Sequence, residues 1–172
     1  ACGVKTGNTI LDALRKCPWL IVVPARFKVY EQYSGRLHGM FTDYTDLVEG
    51  FGADEAWLEI KQSNFSLYDG VKVADAIRKR TWEELGITAS VGVANNKMIA
   101  KLGSDMKKPD ATTLIRPEDI QSKVWPLPVG DLLYVGPSTQ RVLSSHYITT
   151  IGQLAQCPTE YLERRFGIKG PV

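Results

Sequence analysis

Residues 48–60 read VEGFGADEAWLEI, and this stretch decides how the remainder of the chain is interpreted. Two runs of strand-forming residues flank the neighbouring acids Asp54 and Glu55. Gly50 and Gly52 stand just before the acids. Glycines followed by an acid between two such runs are typical of a tight β-hairpin or a bulge. Because neighbouring side chains on a regular strand point to opposite faces, both acids can share one ligand only where the backbone bends, which the glycines permit.

The acidic pair has two interpretations. Mg²⁺ prefers oxygen ligands and often joins one or two carboxylates to substrate phosphates, so Asp54 and Glu55 are candidate metal ligands. A solvated acidic turn is the simpler interpretation, and it is favoured when these residues are taken alone. The motifs elsewhere in the chain therefore decide between the two.

The composition is ordinary for a globular chain of 172 residues, of which 44% are hydrophobic. This length holds one large domain or two small ones. A net charge of +2 makes no strong case for nucleic acid or a membrane as partner, so any such case rests on local clusters. Three widely spaced cysteines without a zinc-binding spacing favour a reducing, cytoplasmic setting. No apolar run is long enough to span a membrane and no signal peptide is visible, so no membrane partner is expected.

Hydrophobic periodicity predicts an α+β arrangement in the first two thirds of the chain and short helices after it, with a domain boundary near Arg116. Gly86 is expected to end the third helix, and Trp82 to lie on its buried side. Asn95 is expected to cap the fourth helix. The order of elements is close to the split βαβ pattern of ferredoxin-like sheets. The predicted helices cover residues 6–15, 27–42, 66–85 and 95–106, and the predicted strands cover 20–23, 47–51, 56–60, 88–93 and 111–115.

A lysine-rich segment coincides with the fourth predicted helix. Residues 95–108 contain four lysines against one acid, Asp105. Lys97 and Lys101 are four residues apart and therefore share one face of the helix. A helix start with ammonium groups nearby is suited to bind phosphates. The alternative is an amphipathic helix with a solvated lysine face, which is favoured when the segment is considered alone.

Residues 127–154 predict helices joined by a tight turn at 135–137, the pattern of a helix-hairpin-helix. A glycine in this turn lets the backbone approach a DNA phosphate, and the N–H groups of Gly136, Ser138 and Thr139 are suited to bind it. Such contacts position DNA without reading its sequence. Basic and acidic residues nearly balance in this part of the chain, so binding would depend on these N–H groups more than on bulk charge. The alternative is an ordinary corner between two helices.

Five motifs occur in one order and at compatible spacings. They are GVKTG at 3–7, DEA at 54–56, SVGVANNK at 90–97 with AK at 100–101, KP at 108–109, and the hairpin around Gly136. Each motif is weak alone, but the ordered set is strong. Over nearly its whole length the chain resembles a Y-family translesion DNA polymerase of the DNA polymerase IV/UmuC type.

The resemblance implies three segments: partial fingers over residues 1–26, a ferredoxin-like palm lacking its first strand over 27–115, and a small all-helical thumb with the helix-hairpin-helix over 116–172. The implied function is the core of an error-prone translesion DNA polymerase, which performs template-directed nucleotidyl transfer by a two-metal mechanism. Its implied partners are primer–template DNA and a dNTP, with a sliding clamp as a candidate partner through regions outside this chain. The chain alone is expected to be inactive.

The resemblance also assigns roles to single residues. Asp54 and Glu55 are implied to be catalytic and to help hold two Mg²⁺ ions. Lys108 is implied to contact the triphosphate of the incoming dNTP. Gly7 is implied to lie over the nascent base pair, where its small size leaves room for damaged bases. The thumb hairpin is implied to bind DNA.

Some features of the family lie outside this chain or differ in it. The opening strand of the family, with a further metal-binding Asp, would precede Ala1, and a C-terminal DNA-gripping domain would follow Val172. Tyr134 stands where the hairpin of the family has its first glycine, and Pro137 has no N–H to donate. Without the opening strand, the palm sheet is expected to have an unpaired edge, and the acidic pair to bind Mg²⁺ weakly.

Two alternatives to the polymerase remain open. A cyclase-type signalling enzyme also uses a ferredoxin-like palm with an acidic hairpin, which residues 52–55 faintly resemble, but the lysine segment and the thumb hairpin argue against it. A non-catalytic DNA-binding module would keep the thumb without the chemistry. Primer extension that depends on Asp54 would separate the polymerase from both.

Overall fold

The computed structural model describes residues 2–61 and 66–167, in which helices pack against two small β-sheets. Residues 168–172, the end of the predicted thumb, lie outside the described residues. None of the helices in the described part combines the length and the apolar character of a bilayer span.

The segment between Leu114 and Pro137 contains two 3₁₀ turns, Pro117–Asp119 and Val129–Asp131, and one π turn, Ile120–Val124. The other elements are α1 Ile10–Lys16, α2 Phe27–Thr42, β1 Val48–Phe51, β2 Glu55–Leu58, α3 Leu67–Leu85, β3 Val91–Val93, α4 Lys97–Met106, β4 Thr112–Leu114, α5 Pro137–Ser145, α6 Ile151–Ala155 and α7 Thr159–Phe166.

Each sheet has two strands. β1 and β2 run antiparallel in the hairpin, with Gly50 opposite Ala56 and Phe51 opposite Glu55. β3 runs parallel to β4, which α4 allows because it connects them as a crossover. Within the described residues no strand joins the two pairs. The single palm sheet that the sequence predicts is therefore present as two separate pairs.

Local capping determines where the long helices begin and end. The Ser66 side chain accepts a hydrogen bond from the Asp69 N–H, and the Asp69 side chain accepts one from the Ser66 N–H, which forms a capping box for α3. Gly86 ends α3 at φ 68°, in the left-handed conformation that glycine adopts readily. The cap of α4 is Asn96 and not the predicted Asn95, because Asn96 is the residue whose side chain accepts an N–H of the first turn.

Two predictions for apolar residues are wrong. Residues 20–23, predicted to form a buried strand, form none, and Ile21 and Val23 are 85% and 74% exposed. β-branched residues favour a strand where neighbouring strands pair with it and cover one face, and the structure pairs no described strand with this segment. Trp82, predicted to be buried, is 61% exposed because α3 turns the face of Ile77 toward the core instead.

Three clusters of buried residues hold these elements together. The first lies between α2, α3 and the hairpin, and the third lies among the C-terminal helices. The second crosses the predicted domain boundary and packs α4 and β4 against the π turn and α6. The clusters consist of Leu37, Met40, Phe41, Ile77 and Leu85; of Leu102, Ile115, Val124 and Ile151; and of Val129, Leu143 and Ile148.

Gly92 allows α4 to lie directly on β3. A Cβ atom at this position would come within 1.8 Å of the Ala100 carbonyl oxygen and 2.7 Å of the Ser104 nitrogen. Both are backbone atoms of α4, so they cannot rotate aside as a side chain would. The glycine therefore sets the position of the lysines that α4 carries.

Candidate active site

The turn of the β1–β2 hairpin carries the acidic pair. Gly52 has φ 73°, in the left-handed region that suits glycine, and the chain reverses between Phe51 and Glu55. Asp54 lies in this turn and is exposed, whereas Glu55 begins β2 and is half-buried. Because Asp54 precedes the regular strand, the alternation of side chains along a strand does not force it to the face opposite Glu55.

A groove of about 1340 Å³ runs between the hairpin and the segment that contains β3 and the start of α4. Asp54 and Glu55 line it from the hairpin, and buried apolar residues of the first cluster form part of its wall. Lys97, Lys101 and Lys108 line it from the other side. The structure therefore brings the predicted metal ligands and the predicted triphosphate ligand into one cavity.

Lys101 lies between two carboxylates. Its side chain is 15% exposed, and its Nζ is 3.1 Å from Glu55 Oε1 and 2.8 Å from Asp105 Oδ2. The other oxygen of Asp105, Oδ1, lies 2.6 Å from Lys108 Nζ. These four side chains, called here the ion-pair row, connect the hairpin to the end of α4 through alternating charges.

Ion pairing shifts the pKa of Lys101 and of Asp105, the two central members of the ion-pair row. Partial burial by itself lowers the pKa of Lys101, but hydrogen bonds to Asp105 and Glu55 outweigh it and hold the pKa above its ordinary value. Burial raises the pKa of Asp105, but Lys101 and Lys108 outweigh it and hold the pKa below its ordinary value. Both groups therefore stay charged at neutral pH.

A second set of contacts anchors the hairpin to the start of α4. Lys97 forms an ion pair with Glu49 of β1, and Trp57 Nε1 donates a hydrogen bond to the Lys97 carbonyl oxygen at 3.1 Å. The Lys97 ammonium also lies 5.7 Å from the centre of the Trp57 ring, within the range of a cation–π interaction. These contacts hold the hairpin against α4 without involving Glu55.

The burial of Lys101 and the role of Asp105 are absent from the sequence prediction. Neither interpretation of the lysine segment, phosphate binding or a solvated face, includes an ion pair with the hairpin, yet Lys101 pairs with Glu55, which is 46 residues earlier in the chain. Asp105 pairs with Lys101 four residues before it and with Lys108 three residues after it. The spacing of four from Lys101 to Asp105 brings the two side chains together on a helix, and it is the signal that would have identified Asp105, whereas Lys108 lies beyond the end of α4 at Met106.

Gly7 lies apart from the other predicted site residues. It occupies the turn before α1 with φ 83°, and a Cβ atom there would meet no heavy atom within 4 Å. It is not among the residues that line the groove. Its position over a base pair therefore stays a prediction.

The turn at residues 135–137, which the sequence predicts to be part of a helix-hairpin-helix, leads into α5. Gly136 caps the helix and Pro137 is its first residue. The Gln140 N–H donates to the Gly136 carbonyl oxygen at 2.9 Å, which begins the hydrogen-bond pattern of the helix. Helix geometry leaves the N–H groups of Ser138 and Thr139 without a partner inside the helix, and these are two of the three predicted phosphate donors.

A smaller groove of about 480 Å³ separates the segment before α5 from α4. Residues 131–136 line one side, and Lys101 and Asp105 line the other. Tyr134, in this segment, has φ 70° and is 68% exposed. The left-handed conformation costs a non-glycine residue about 1 kcal/mol, and strain of this kind is concentrated at functional sites.

The acidic pair fits Mg²⁺ in ligand type. Asp54 and Glu55 supply the oxygen atoms that this ion prefers. Within residues 2–61 and 66–167, no three His, Cys, Asp or Glu side chains gather into a group that would hold a metal ion. Mg²⁺ commonly takes one or two carboxylates and completes its coordination from water and substrate phosphates, so the pair suits a site that is completed by substrate.

Comparison with known proteins identifies the family. A family model described as impB/mucB/samB matches residues 1–105, a range that contains the hairpin and most of α4. The chain belongs to this family. The hairpin acids and Lys101 therefore lie within the matched range, whereas Lys108 and the turn at residues 135–137 follow it.

Two curated relatives are DNA polymerases IV. The one from Acetivibrio thermocellus is 50% identical over 164 residues, which cover 95% of this chain and 41% of the relative. The one from Pseudomonas aeruginosa is 42% identical over 170 residues, which cover 99% of this chain and 49% of the relative. The chain thus spans less than half the length of these two relatives.

Solved polymerase structures have the same fold. The crystal structure of DinB from Sulfolobus solfataricus superimposes with a TM-score of 0.87 at 29% identity, covering 99% of this chain and 50% of that one. An insertion ternary complex of Dbh DNA polymerase gives a TM-score of 0.86 at 30% identity, covering 98% and 50%. A Y-family DNA polymerase chimera matches as well. The Y-family resemblance that the five motifs indicate is confirmed.

Proposed function

We propose that this chain forms the core of an error-prone translesion DNA polymerase that performs template-directed nucleotidyl transfer. The observation that supports the proposal is the shared groove, which Asp54, Glu55 and Lys108 line together. The names of the relatives supply the reaction class. Because the chain spans less than half of those relatives, the activity is proposed for the chain together with the further regions that they contain.

In this proposal residues 1–26 belong to the fingers, 27–115 to a ferredoxin-like palm and 116–172 to a helix-hairpin-helix thumb. The two strand pairs would form one sheet if a further strand paired with both across the groove. The opening strand of the family is proposed to take that position. The apolar wall of the groove supports this, because a strand with one apolar face would complete the core there.

Asp54 and Glu55 are proposed as the catalytic carboxylates and as Mg²⁺ ligands. Two bound Mg²⁺ ions would activate the primer 3′-hydroxyl and neutralise charge on the triphosphate. Lys108 is proposed to bind the triphosphate of the dNTP. Its ammonium has three donors, of which Asp105 engages one, and its side chain is 56% exposed to the groove and solvent.

Primer–template DNA is the proposed partner of the thumb hairpin. The N–H groups of Gly136, Ser138 and Thr139 are proposed to bind a DNA phosphate, helped by the positive end of the α5 dipole. Contacts of this kind carry no sequence code, which suits an enzyme that moves along any template. Gly7 is proposed to lie over the nascent base pair, and a sliding clamp is proposed as a partner only through regions outside this chain.

A chimera tests the proposal. This chain replaces the matching 164 residues of the A. thermocellus polymerase, and primer extension is measured with Mg²⁺. Asp54→Ala is expected to abolish extension because it removes a metal-binding carboxylate. Glu83→Ala is the control, since Glu83 is exposed on α3 and pairs only loosely with Lys79, at 3.7 Å.

Three outcomes would count against a polymerase. Extension that survives Asp54→Ala would contradict the assigned carboxylate. DNA binding without extension in the unsubstituted chimera would favour the non-catalytic module. Formation of a cyclic dinucleotide from GTP would favour the cyclase.

A further inference from the structure

Lys101 and a divalent cation need the same carboxylate. The Lys101 Nζ lies 3.1 Å from Glu55 Oε1, so Glu55 already has a positive partner within hydrogen-bond distance. A second cation on the same carboxylate is repelled by the ammonium, and the repulsion is strong at such short range. Occupation of Glu55 by a divalent cation therefore requires Lys101 to rely on another partner.

Asp105 is that partner. A largely buried ammonium without a counter-charge is costly, and Lys101 is only 15% exposed. The Asp105 Oδ2 lies 2.8 Å from its Nζ, which is closer than Glu55. Lys108 holds the other Asp105 oxygen, so the carboxylate stays in place when the contact between Lys101 and Glu55 is broken.

The hairpin does not depend on the contact between Lys101 and Glu55. Glu49 pairs with Lys97, and Trp57 donates to the Lys97 carbonyl oxygen, one helical turn before Lys101. These contacts keep the hairpin docked on α4 whichever partner Glu55 has. Glu55 can therefore exchange its partner through side-chain rotation alone.

We propose that Lys101 neutralises Glu55 while no divalent cation is bound, and that Asp105 is the positioning residue that retains the ammonium when Glu55 binds the cation. Lys101 thus lowers the affinity of the hairpin for free cations, and Asp105 limits that effect. The inference rests on the proposed function, in which Glu55 is a metal ligand.

The test is Mn²⁺ binding to this chain without DNA or nucleotide, measured by electron paramagnetic resonance. Lys101→Met is expected to tighten binding about five- to tenfold because the competing charge is gone. Lys101→Arg keeps the charge and is expected to keep the original affinity. Asp105→Asn alone is expected to weaken Mn²⁺ binding at least about threefold. In a chain that already carries Lys101→Met, the same substitution is expected to weaken binding by less than about twofold, because Asp105 acts through Lys101.

Lys79→Met is the matched control. Lys79 lies on α3, is not among the residues that line the groove, and loses the same charge when substituted, but it pairs with Glu83 and not with Glu55. Its substitution is expected to change Mn²⁺ affinity by less than about twofold. A Lys101→Met chain that binds Mn²⁺ no more tightly than the unsubstituted chain overturns the inference.

Asp54→Asn separates this inference from the proposed function. Mn²⁺ affinity that does not respond to Asp54→Asn contradicts the proposed cation site itself. Affinity that responds to Asp54→Asn but not to Lys101→Met overturns the partner exchange alone.

A measurement on the unsubstituted chain covers the case in which changes at Lys101 unfold the protein. With ¹⁵N-labelled lysine, the Lys101 ammonium signal is expected to shift on saturation with Mg²⁺ and to stay protected from exchange, because Asp105 retains it. A signal that does not move, or one that loses its protection, overturns the inference.

Discussion

Replacing Gly92 with Ala tests how closely α4 lies on β3, and with it the position of the lysines in the groove. The added Cβ atom would lie 1.8 Å from the Ala100 carbonyl oxygen, so α4 must move by about 1.6 Å to restore an ordinary contact. Overpacking typically costs about 1–3 kcal/mol, and a clash with backbone belongs at the top of that range. We therefore expect the free energy of unfolding to fall by about 3 kcal/mol and the Tm by about 6–12 °C.

Urea unfolding followed by circular dichroism measures this loss. Gly39→Ala is the matched control, because Gly39 lies inside α2 and a Cβ atom there would meet no heavy atom within 4 Å. That substitution is expected to raise the free energy of unfolding by about 0.5–1 kcal/mol, since Ala favours a helix over Gly. A Gly92→Ala chain within about 0.5 kcal/mol of the unsubstituted chain would refute the close packing of α4 on β3.

Three further predictions concern the backbone strain at Tyr134, the start of α3 and the binding of dNTP. Tyr134→Gly is expected to raise the free energy of urea unfolding by about 1 kcal/mol, because glycine suits φ 70°, and a lower value would contradict the strain. Folding lowers the pKa of Asp69 from 3.8 to about 2, first through Lys72 and then through Ser66. The stabilisation that the ionised Asp69 contributes is therefore present above pH 3.8 and lost as the pH falls through about 2. Asp69→Asn should flatten the pH dependence of the free energy of unfolding between these values, and an unaltered slope would argue against the contacts of Asp69 with Lys72 and Ser66. Lys108→Met in the chimera is expected to raise the KM for dNTP more than it lowers kcat in steady-state primer extension, and the reverse would remove Lys108 from triphosphate binding.

Elements with strong local signals could be predicted from the sequence. The helix predicted over residues 27–42 is α2 with the same bounds, and the helix predicted over 66–85 differs from α3 by one residue at its start. The hairpin predicted around Asp54 and Glu55 is β1 and β2. In each case the apolar period, the cap or the turn glycines lie within a few residues of one another, so no distant contact is needed to specify the element.

Elements that need a distant partner were predicted less well. Residues 20–23 have the composition of a strand, but they have no strand neighbour within the described residues. The strand predicted over 88–93 is shortened to Val91–Val93, which is the part that pairs with β4. A strand is stabilised by its hydrogen bonds and side-chain contacts with a neighbouring strand, and the sequence pattern of one segment does not show whether such a neighbour is present.

The sequence by itself determined which residue types stand at the candidate site: neighbouring acids after turn glycines, and lysines spaced along one helix. Only the tertiary structure decided that Lys101 pairs with Glu55, that Lys97 pairs with Glu49, and that Asp105 completes the row. The physical reason is distance. An ion pair forms over a few ångströms between elements far apart in the chain, and each residue along α4 turns its side chain by about 100°, so the packing of α4 on β3 selects the partner of each lysine.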